Sequence, residues 1–322
     1  MRQINRFVAV LLITLFSGLG LAHAADYPTR PIKWIVPYPP GGTTDVLARL
    51  MAQSLSEKLG QQVIVENKPG AGNNIGTESV INATPDGYTM LLVNPANGIN
   101  ATLYKNLNFN FVRDIAPVAG LVRTPNVMVV SNNVPAKTVA EFLAYCKANP
   151  GKVNMASSGS GTSVHLSGEL FKYMTGCNMV HVPYKGAGPA LIDLTAGQVQ
   201  VLFDNLPSSV PHIKNGRIRA LAVTSEKAEP SMPELPTVGA TVKGYEATAW
   251  FGIGMPKGTP AEAINRVNAA VNATLAEPAM RARLADLGGV PIPGTPADFG
   301  KVIVAETEKW AKVINDSGVK LD

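Results

Sequence analysis

Short β-rich segments alternate with amphipathic helical segments along almost the whole chain, and this alternation restricts the fold more than any other feature. Ile32–Val36 has the composition of a strand, and Thr43–Leu59 then places Val46, Leu47 and Leu50 on one helical face. The same order continues through residues 127–223. Strands that alternate with helices are typical of parallel sheets with crossover helices, so the sequence predicts an α/β fold.

The chain is too long for a single hydrophobic core. It has 322 residues, and cores stop growing at about 250–300 residues, so two domains are expected. The last third holds three predicted helices, at 260–275, 278–287 and 296–312, and little strand beyond 250–255.

Two segments repeat one plan about half a chain apart. Residues 36–42 read VPYPPGG and residues 182–188 read VPYKGAG, each between a predicted strand and a predicted helix. Proline ends the strand, and glycine lets the backbone approach a neighbour closely. Residues 156–162, ASSGSGT, form a third loop of this kind. Ligands of open α/β sheets bind beyond the carboxyl ends of strands, where helix N-termini hold anions, so these loops predict a carboxylate site.

The N-terminus has the layout of a secretory signal. Arg2 and Arg6 precede an apolar run, and Ala22-His23-Ala24 is a small-x-small cleavage site, so we expect residues 1–24 to be removed. Those two arginines are the only charges lost, and the remaining 26 basic and 23 acidic residues give a net charge of +3. No basic block is present, so nucleic acid is not an expected partner.

Cys146 and Cys177 fall late in one predicted helix and just after another, in the same predicted lobe. Export permits a disulfide, and two buried thiols are the alternative.

Catalytic, nucleotide and metal motifs do not fit. Residues 70–76, GAGNNIG, place the third glycine one position too late for a dinucleotide fingerprint, and we interpret them as a loop. His165 falls inside a predicted helix, and the histidines follow no metal spacing. Asp45 can serve its own helix N-terminus, whereas Asp204 either accepts from a ligand or satisfies nearby donors.

Several motifs in order resemble one receptor family. They are residues 37–45, PYPPGGTTD; 65–72, VENKPGAG; 85–89, PDGYT; 156–166, ASSGSGTSVHL; and 181–186, HVPYKG. In these motifs the mature chain resembles the substrate-binding proteins of tripartite tricarboxylate transporters, the Bug receptors.

The resemblance implies a two-lobed periplasmic binding protein (Venus flytrap) fold. Lobe 1 would comprise residues 25–124 plus 250–322, and lobe 2 residues 125–249. Carried over by motif, the implied ligand-binding residues are Tyr38, Gly41, Gly42, Thr43, Ser157, Ser158, Ser160, Thr162, Tyr184, Lys185, Gly186 and Asp204, with Asn94 and Ala96 as weaker matches. Asn is common in the family at the position of Ser160.

The expected function is therefore a periplasmic, monomeric, non-enzymatic receptor without a cofactor. It would capture an organic acid or amino acid between its lobes and dock on membrane permease subunits. Trp250 or Phe251 would admit an aromatic acid. The alternatives are a ligand-presenting partner of a membrane sensor and a periplasmic hydrolase that uses a serine with His165.

Overall fold

The computed structural model describes residues 27–317, and the predicted signal peptide lies outside them. Within that range, no helix is both long and apolar enough to cross a membrane.

Ten strands belong to one continuous sheet, and they are numbered in chain order. They are β1 Ile32–Val36, β2 Val63–Asn67, β3 Thr89–Val93, β4 Ile115–Ser131, β5 Val153–Ser157, β6 Met179–Pro183, β7 Val201–Asn205, β8 Ile218–Val223, β9 Thr248–Pro256 and β10 Val290–Pro291.

Helices connect most of these strands, and a 3₁₀ turn at Ala71–Asn73 precedes the second helix. The helices are α1 Thr43–Leu59, α2 Asn74–Ile81, α3 Pro95–Leu103, α4 Phe111–Asp114, α5 Val139–Ala148, α6 Ser163–Thr175, α7 Ala187–Ala196, α8 Leu206–Lys214, α9 Val238–Thr241, α10 Ala261–Ala276, α11 Pro278–Asp286 and α12 Pro296–Ser317.

The sheet has two halves that meet along the long strand β4. In the first half, β1 pairs in parallel with β2 and β3, and β9 joins β3 to the early part of β4. In the second half, β5 pairs in parallel with β6 and β7, while β7 and β8 flank the late part of β4. The fold is α/β, as the alternation predicted, and the helix-rich C-terminal segment packs on the first half.

Strand β4 changes partner at one peptide bond. Pro125 pairs with Thr248 of β9, and Asn126 pairs with Asn205 of β7. In the half of the sheet that contains β9, the apolar core includes Trp34 and Phe251, and in the half that contains β7 it includes Phe142 and Phe203. The change of partner falls within two residues of the predicted lobe boundaries, and we propose it as the hinge between lobe 1 and lobe 2.

The loop prediction for residues 70–76 is wrong at its end. Gly70 and Gly72 adopt left-handed φ angles of 132° and 57°, which turn the chain, but Asn74 already begins α2. Helix α2 forms because Val80 is fully buried in the first-half core, so tertiary packing overrides the weak local helix signal.

Cys146 and Cys177 form a disulfide with Cα atoms 6.0 Å apart. Both residues are buried in the core of the second half, beside Phe142 and Phe171. The bond links the end of α5 to the residue that follows the C-cap of α6.

We expect the Cys146→Ala/Cys177→Ala variant to lose about 3–4 kcal/mol of unfolding free energy, because the bond closes a loop with a sequence separation of 31. Urea titration of both proteins, with and without reductant, measures this loss. Reductant should destabilise only the parent protein. Equal stability of parent and variant under oxidising conditions would contradict a structural role for the bond.

Candidate ligand-binding site

Five helices begin at one cavity between the two halves of the sheet. Their N-caps are Gly42 for α1, Asn94 for α3, Thr162 for α6, Gly186 for α7 and Asn205 for α8. The cavity is lined by Tyr38, Gly42, Thr43, Thr44, Asn94, Pro95, Ser158, Thr162, Ser163, Ala187, Asn205 and Phe251. None of these described lining residues is acidic, basic or a histidine.

The start of α1 is formed by the loop after β1. Gly42 has no side chain that could cap the helix, so the first-turn N–H groups stay available at the cavity. Asp45 does not compete for them, because its carboxylate accepts from Gly41 N at 3.1 Å and pairs with Arg49 at 3.0 Å. Burial opposes ionisation of this carboxyl, but these bonds and one from Asn67 hold its pKa below the ordinary value.

Side chains cap two of the other helices. Asn94 Oδ1 accepts from Ala96 N at 3.1 Å at the start of α3, and Asn94 N donates to Asn97 Oδ1 at 2.9 Å. At the start of α6, Thr162 Oγ1 accepts from His165 N at 3.2 Å. These caps fix the helix starts against the cavity, as Asn and Thr caps ordinarily do.

A hydrogen-bonded chain crosses from one half to the other at α8. Thr43 Oγ1 donates to Ser208 Oγ at 3.0 Å and accepts from Ser208 N at 3.2 Å. Ser208 Oγ and Ser209 Oγ in turn donate to Asp204 Oδ2 at 2.5 and 2.8 Å. Asp204 is fully buried and does not line the cavity. Its carboxylate therefore braces the serine that contacts α1.

Close backbone contacts bring the halves together around the cavity. Gly188 lies against Pro40, where an added Cβ would be 2.7 Å from the Pro40 carbonyl oxygen. On another side, Tyr104 OH donates to Ser160 O at 3.4 Å. The cavity volume is only about 20 Å³. The structure is thus a closed form with a narrow cavity.

Six residues predicted from the sequence line this cavity. They are Tyr38, Gly42, Thr43, Asn94, Ser158 and Thr162. Gly41 and Gly186 lie next to it in the same loops, and Ala96 and Ser160 contribute main-chain groups to the bonds described above.

Four predicted side chains do not line the cavity. Tyr184 OH donates to Asp193 of α7 at 2.6 Å, and Lys185 is exposed. Ser157 Oγ lies 2.7 Å from His181 Nε2, and Asp204 is engaged by the serines of α8. The sequence left two roles open for Asp204, accepting from a ligand or from nearby donors of the protein. The structure shows the second, because Ser208 and Ser209 donate to its carboxylate. A ligand-binding role for these residues stays a prediction.

Six lining residues were not among the binding residues carried over by motif, although Phe251 was named in the sequence analysis as a residue that would admit an aromatic acid. Thr44, Pro95, Ser163 and Ala187 occupy first-turn positions of helices, Asn205 is an N-cap, and Phe251 lies on β9. The signal that could have identified most of them is a helix start directly after a strand, as in Asn94-Pro95 and Asn205-Leu206-Pro207.

His165 supports a loop of the cavity. It lies within α6, as predicted, and is almost fully buried. Its Nδ1 accepts from Gly161 N at 3.3 Å, and its ring stacks on His181 with centroids 4.0 Å apart. These contacts hold the Ser158–Thr162 turn from behind, and His165 does not line the cavity.

Comparisons with known proteins agree with this architecture. Residues 47–319 match the profile of the tripartite tricarboxylate transporter family receptor. Protein BugT of Bordetella pertussis is 36% identical over 326 residues, with 99% of each chain covered.

Two solved structures are similar over most of the chain. Rpa4515 of R. palustris with adipate has a TM-score of 0.89 at 38% identity, covering 91% of this chain and 99% of that one. MatC from Rhodopseudomonas palustris with bound malate has a TM-score of 0.85 at 30% identity, covering 89% and 100%.

The buried Asp204 should make stability fall as the pH rises. Burial raises its pKa to about 6, although the serine hydroxyls oppose this. The folded protein therefore keeps a proton that the unfolded chain, with a pKa of about 3.9, releases. The contribution of this bound proton to the free energy of unfolding is complete below about pH 4 and is lost by about pH 6. The loss amounts to about 3 kcal/mol.

Urea titrations of the parent and of Asp204→Asn across this range measure the effect, because asparagine does not titrate. The stability of the parent relative to the variant should fall between about pH 4 and pH 6. Asp298→Asn is a control without a slope in this range, because bonds from Thr295 lower the pKa of Asp298, so its contribution to stability is already complete above about pH 4 and the parent-to-variant difference should stay nearly constant. A parent-to-variant difference that does not change with pH would contradict the raised pKa.

Proposed function

Because the chain belongs to the tripartite tricarboxylate transporter receptor family, we propose that it is a periplasmic receptor that captures a small carboxylate between its two lobes. The observation that carries this proposal is the convergence of five helix N-termini on one cavity without a charged side chain among its described lining residues.

Helix N-termini favour anions for a simple reason. Each presents first-turn N–H groups without intrahelical partners and about half a positive charge from the helix dipole. A carboxylate with two acceptor oxygens uses such donors well, and the closed cavity strengthens the attraction by excluding water. Thr43, Ser158 and Ser163 add hydroxyl groups to the same surface.

The relatives support a carboxylate as the ligand class. Two structures that share this fold at 30% identity or more contain adipate and malate, both dicarboxylates. Phe251 and Pro95 supply apolar surface in the cavity here, against which the carbon chain of such an acid would pack once the lobes part enough to admit it.

Closure explains how capture can be signalled. The ligand would contact helix starts of both lobes, so it would bind the closed form more tightly than an open one. The Thr43–Ser208 hydrogen bonds exist only when the lobes meet, and the strand crossing at Pro125 and Thr248 allows them to separate. Both cavity walls come from one chain, so we propose that a monomer is sufficient.

The closed receptor would then deliver its ligand to membrane permease subunits. Residues 1–24 fit a cleavable export signal, and export places the mature chain beside such a permease in the periplasm.

A thermal-shift screen of mono-, di- and tricarboxylates and acidic amino acids tests the function. A ligand at about 100 times its dissociation constant should add about 2.7 kcal/mol of stability. Amides of the same acids, which lack the charge, serve as matched negative ligands. If no carboxylate stabilises the protein, the proposed function is wrong.

Substitutions at Gly42 connect binding to the cavity. A Cβ at this position would meet Ala187 Cβ of the opposite lobe at 3.5 Å, which is an ordinary contact. We therefore expect Gly42→Ala to keep binding, whereas the extra methyl groups of Gly42→Val should hold the lobes apart and weaken binding at least about 100-fold, with unfolding still cooperative. Calorimetric titration compares the two, and intact binding in Gly42→Val would exclude this closed cavity as the site.

A further inference from the structure

The amide groups of Asn94 and Asn205 face the cavity from opposite lobes, and each has a fixed orientation. Asn94 is 3% exposed, and its Nδ2 is buried without a hydrogen-bond partner among the described residues. A buried donor without a partner costs free energy unless a ligand or water satisfies it. Both residues line the cavity.

The main chain determines the orientation of Asn94. Its Oδ1 accepts from Ala96 N at 3.1 Å and from Tyr38 OH at 3.4 Å. The backbone N–H of Ala96 can only donate, so the oxygen of the amide must face it. The Nδ2 group is consequently directed away from the helix start, where it is buried without a partner in a residue that lines the cavity, and we infer that it is the donor that lobe 1 offers to a ligand.

The hinge determines the orientation of Asn205 through a second asparagine. Asn126 Nδ2 donates to the carbonyl oxygen of Phe203 at 3.0 Å, and that oxygen can only accept. Asn126 Oδ1 must therefore be the atom that faces Asn205, and it accepts from Asn205 Nδ2 at 2.6 Å. Asn126 is fully buried, so this chain of bonds cannot exchange its partners with solvent.

Both hydrogens of Asn205 Nδ2 are used, because the group also donates to Ser163 Oγ at 3.2 Å. Oδ1 remains, and among the described residues no donor reaches it. Lobe 2 therefore presents an acceptor to the same cavity in which lobe 1 presents a donor.

We propose that Asn94 and Asn205 determine specificity by selecting a carboxylate that also carries a hydroxyl or amino group. A carboxylate oxygen accepts from Asn94 Nδ2, and the hydroxyl or amino hydrogen is donated to Asn205 Oδ1. This inference rests on the proposed carboxylate-receptor function and narrows its ligand class. It also transfers to Asn205 the acceptor role that the sequence offered to Asp204, whose Oδ2 is taken by Ser208 and Ser209.

Discrimination follows from the cost of an unmade hydrogen bond. When the lobes close on an acid without a donor, Asn205 Oδ1 loses water and gains nothing in return. A site built to read a polar group rejects the analogue that lacks it much more strongly than an apolar pocket would. We expect the donor-bearing acid to bind at least about tenfold more tightly than its unsubstituted parent.

Calorimetric titration with matched acids tests the proposal in the wild-type protein. The panel contains straight-chain mono- and dicarboxylates of three to six carbons, each unsubstituted, 2-hydroxylated, 3-hydroxylated and 2-aminated. At least one hydroxy or amino acid should bind about tenfold or more tightly than its parent. If an unsubstituted acid binds and none of its derivatives binds more tightly, the inference is wrong and the receptor function stands. If no acid in the panel binds, the inference is wrong, and the wider thermal-shift screen decides whether the receptor function stands.

Two variants assign the effect to the asparagines. Asn205→Leu removes the acceptor, so the affinity ratio between derivative and parent should fall to about one, a ratio that a general loss of stability would not change. Asn94→Asp keeps the helix cap but replaces the donor with a negative charge, so it should abolish binding of every acid. Asn133→Asp adds the same charge on an exposed turn and should bind normally. A preserved ratio in Asn205→Leu would overturn the assignment, as would binding by Asn94→Asp.

Discussion

The proposed ligand site depends on main-chain N–H groups that the helices cannot satisfy internally. Every α-helix leaves its first N–H groups without partners, and here the starts of α1, α3, α6, α7 and α8 meet at one cavity. Recognition of an anion then needs no cationic side chain, and the described lining residues include none. Because helix starts are rigidly attached to the sheet, the donors are in place before the ligand arrives, which reduces the entropic cost of binding.

The sheet is what brings these helix starts together. Parallel strands place their carboxyl ends at one edge, and each of β1, β3, β5, β6 and β7 is followed there by a helix. Strand β4 then joins the two halves, so that the edges face each other across the cavity. The same strand carries Asn126, which is hydrogen-bonded to Asn205 in the cavity wall, so the proposed hinge and the proposed site share one network.

The local sequence was enough to predict the alternation of strands and helices, the family, and the helices that follow β1, β5 and β6. Thr43–Leu59 is a helix because its apolar face is continuous, and proline and glycine mark the loop before it. The local sequence did not predict features of the structure that tertiary contacts determine. The helix Leu206–Lys214 was not predicted, since Pro207 and Pro211 obscure it, and its serines then engage Asp204. The exposed position of Lys185 depends on the path of the loop, which spacing does not encode.

A crystal structure with a bound carboxylate, obtained from whichever acid stabilises the protein most, tests the central claim most directly. Carboxylate oxygens should lie within about 3.2 Å of first-turn N–H groups from both lobes, including those of Thr43 or Thr44 and of Ser163 or Val164. No lysine or arginine should be within ion-pair distance of the ligand. A carboxylate paired with Lys185, or a ligand bound outside the space between the lobes, would contradict this claim.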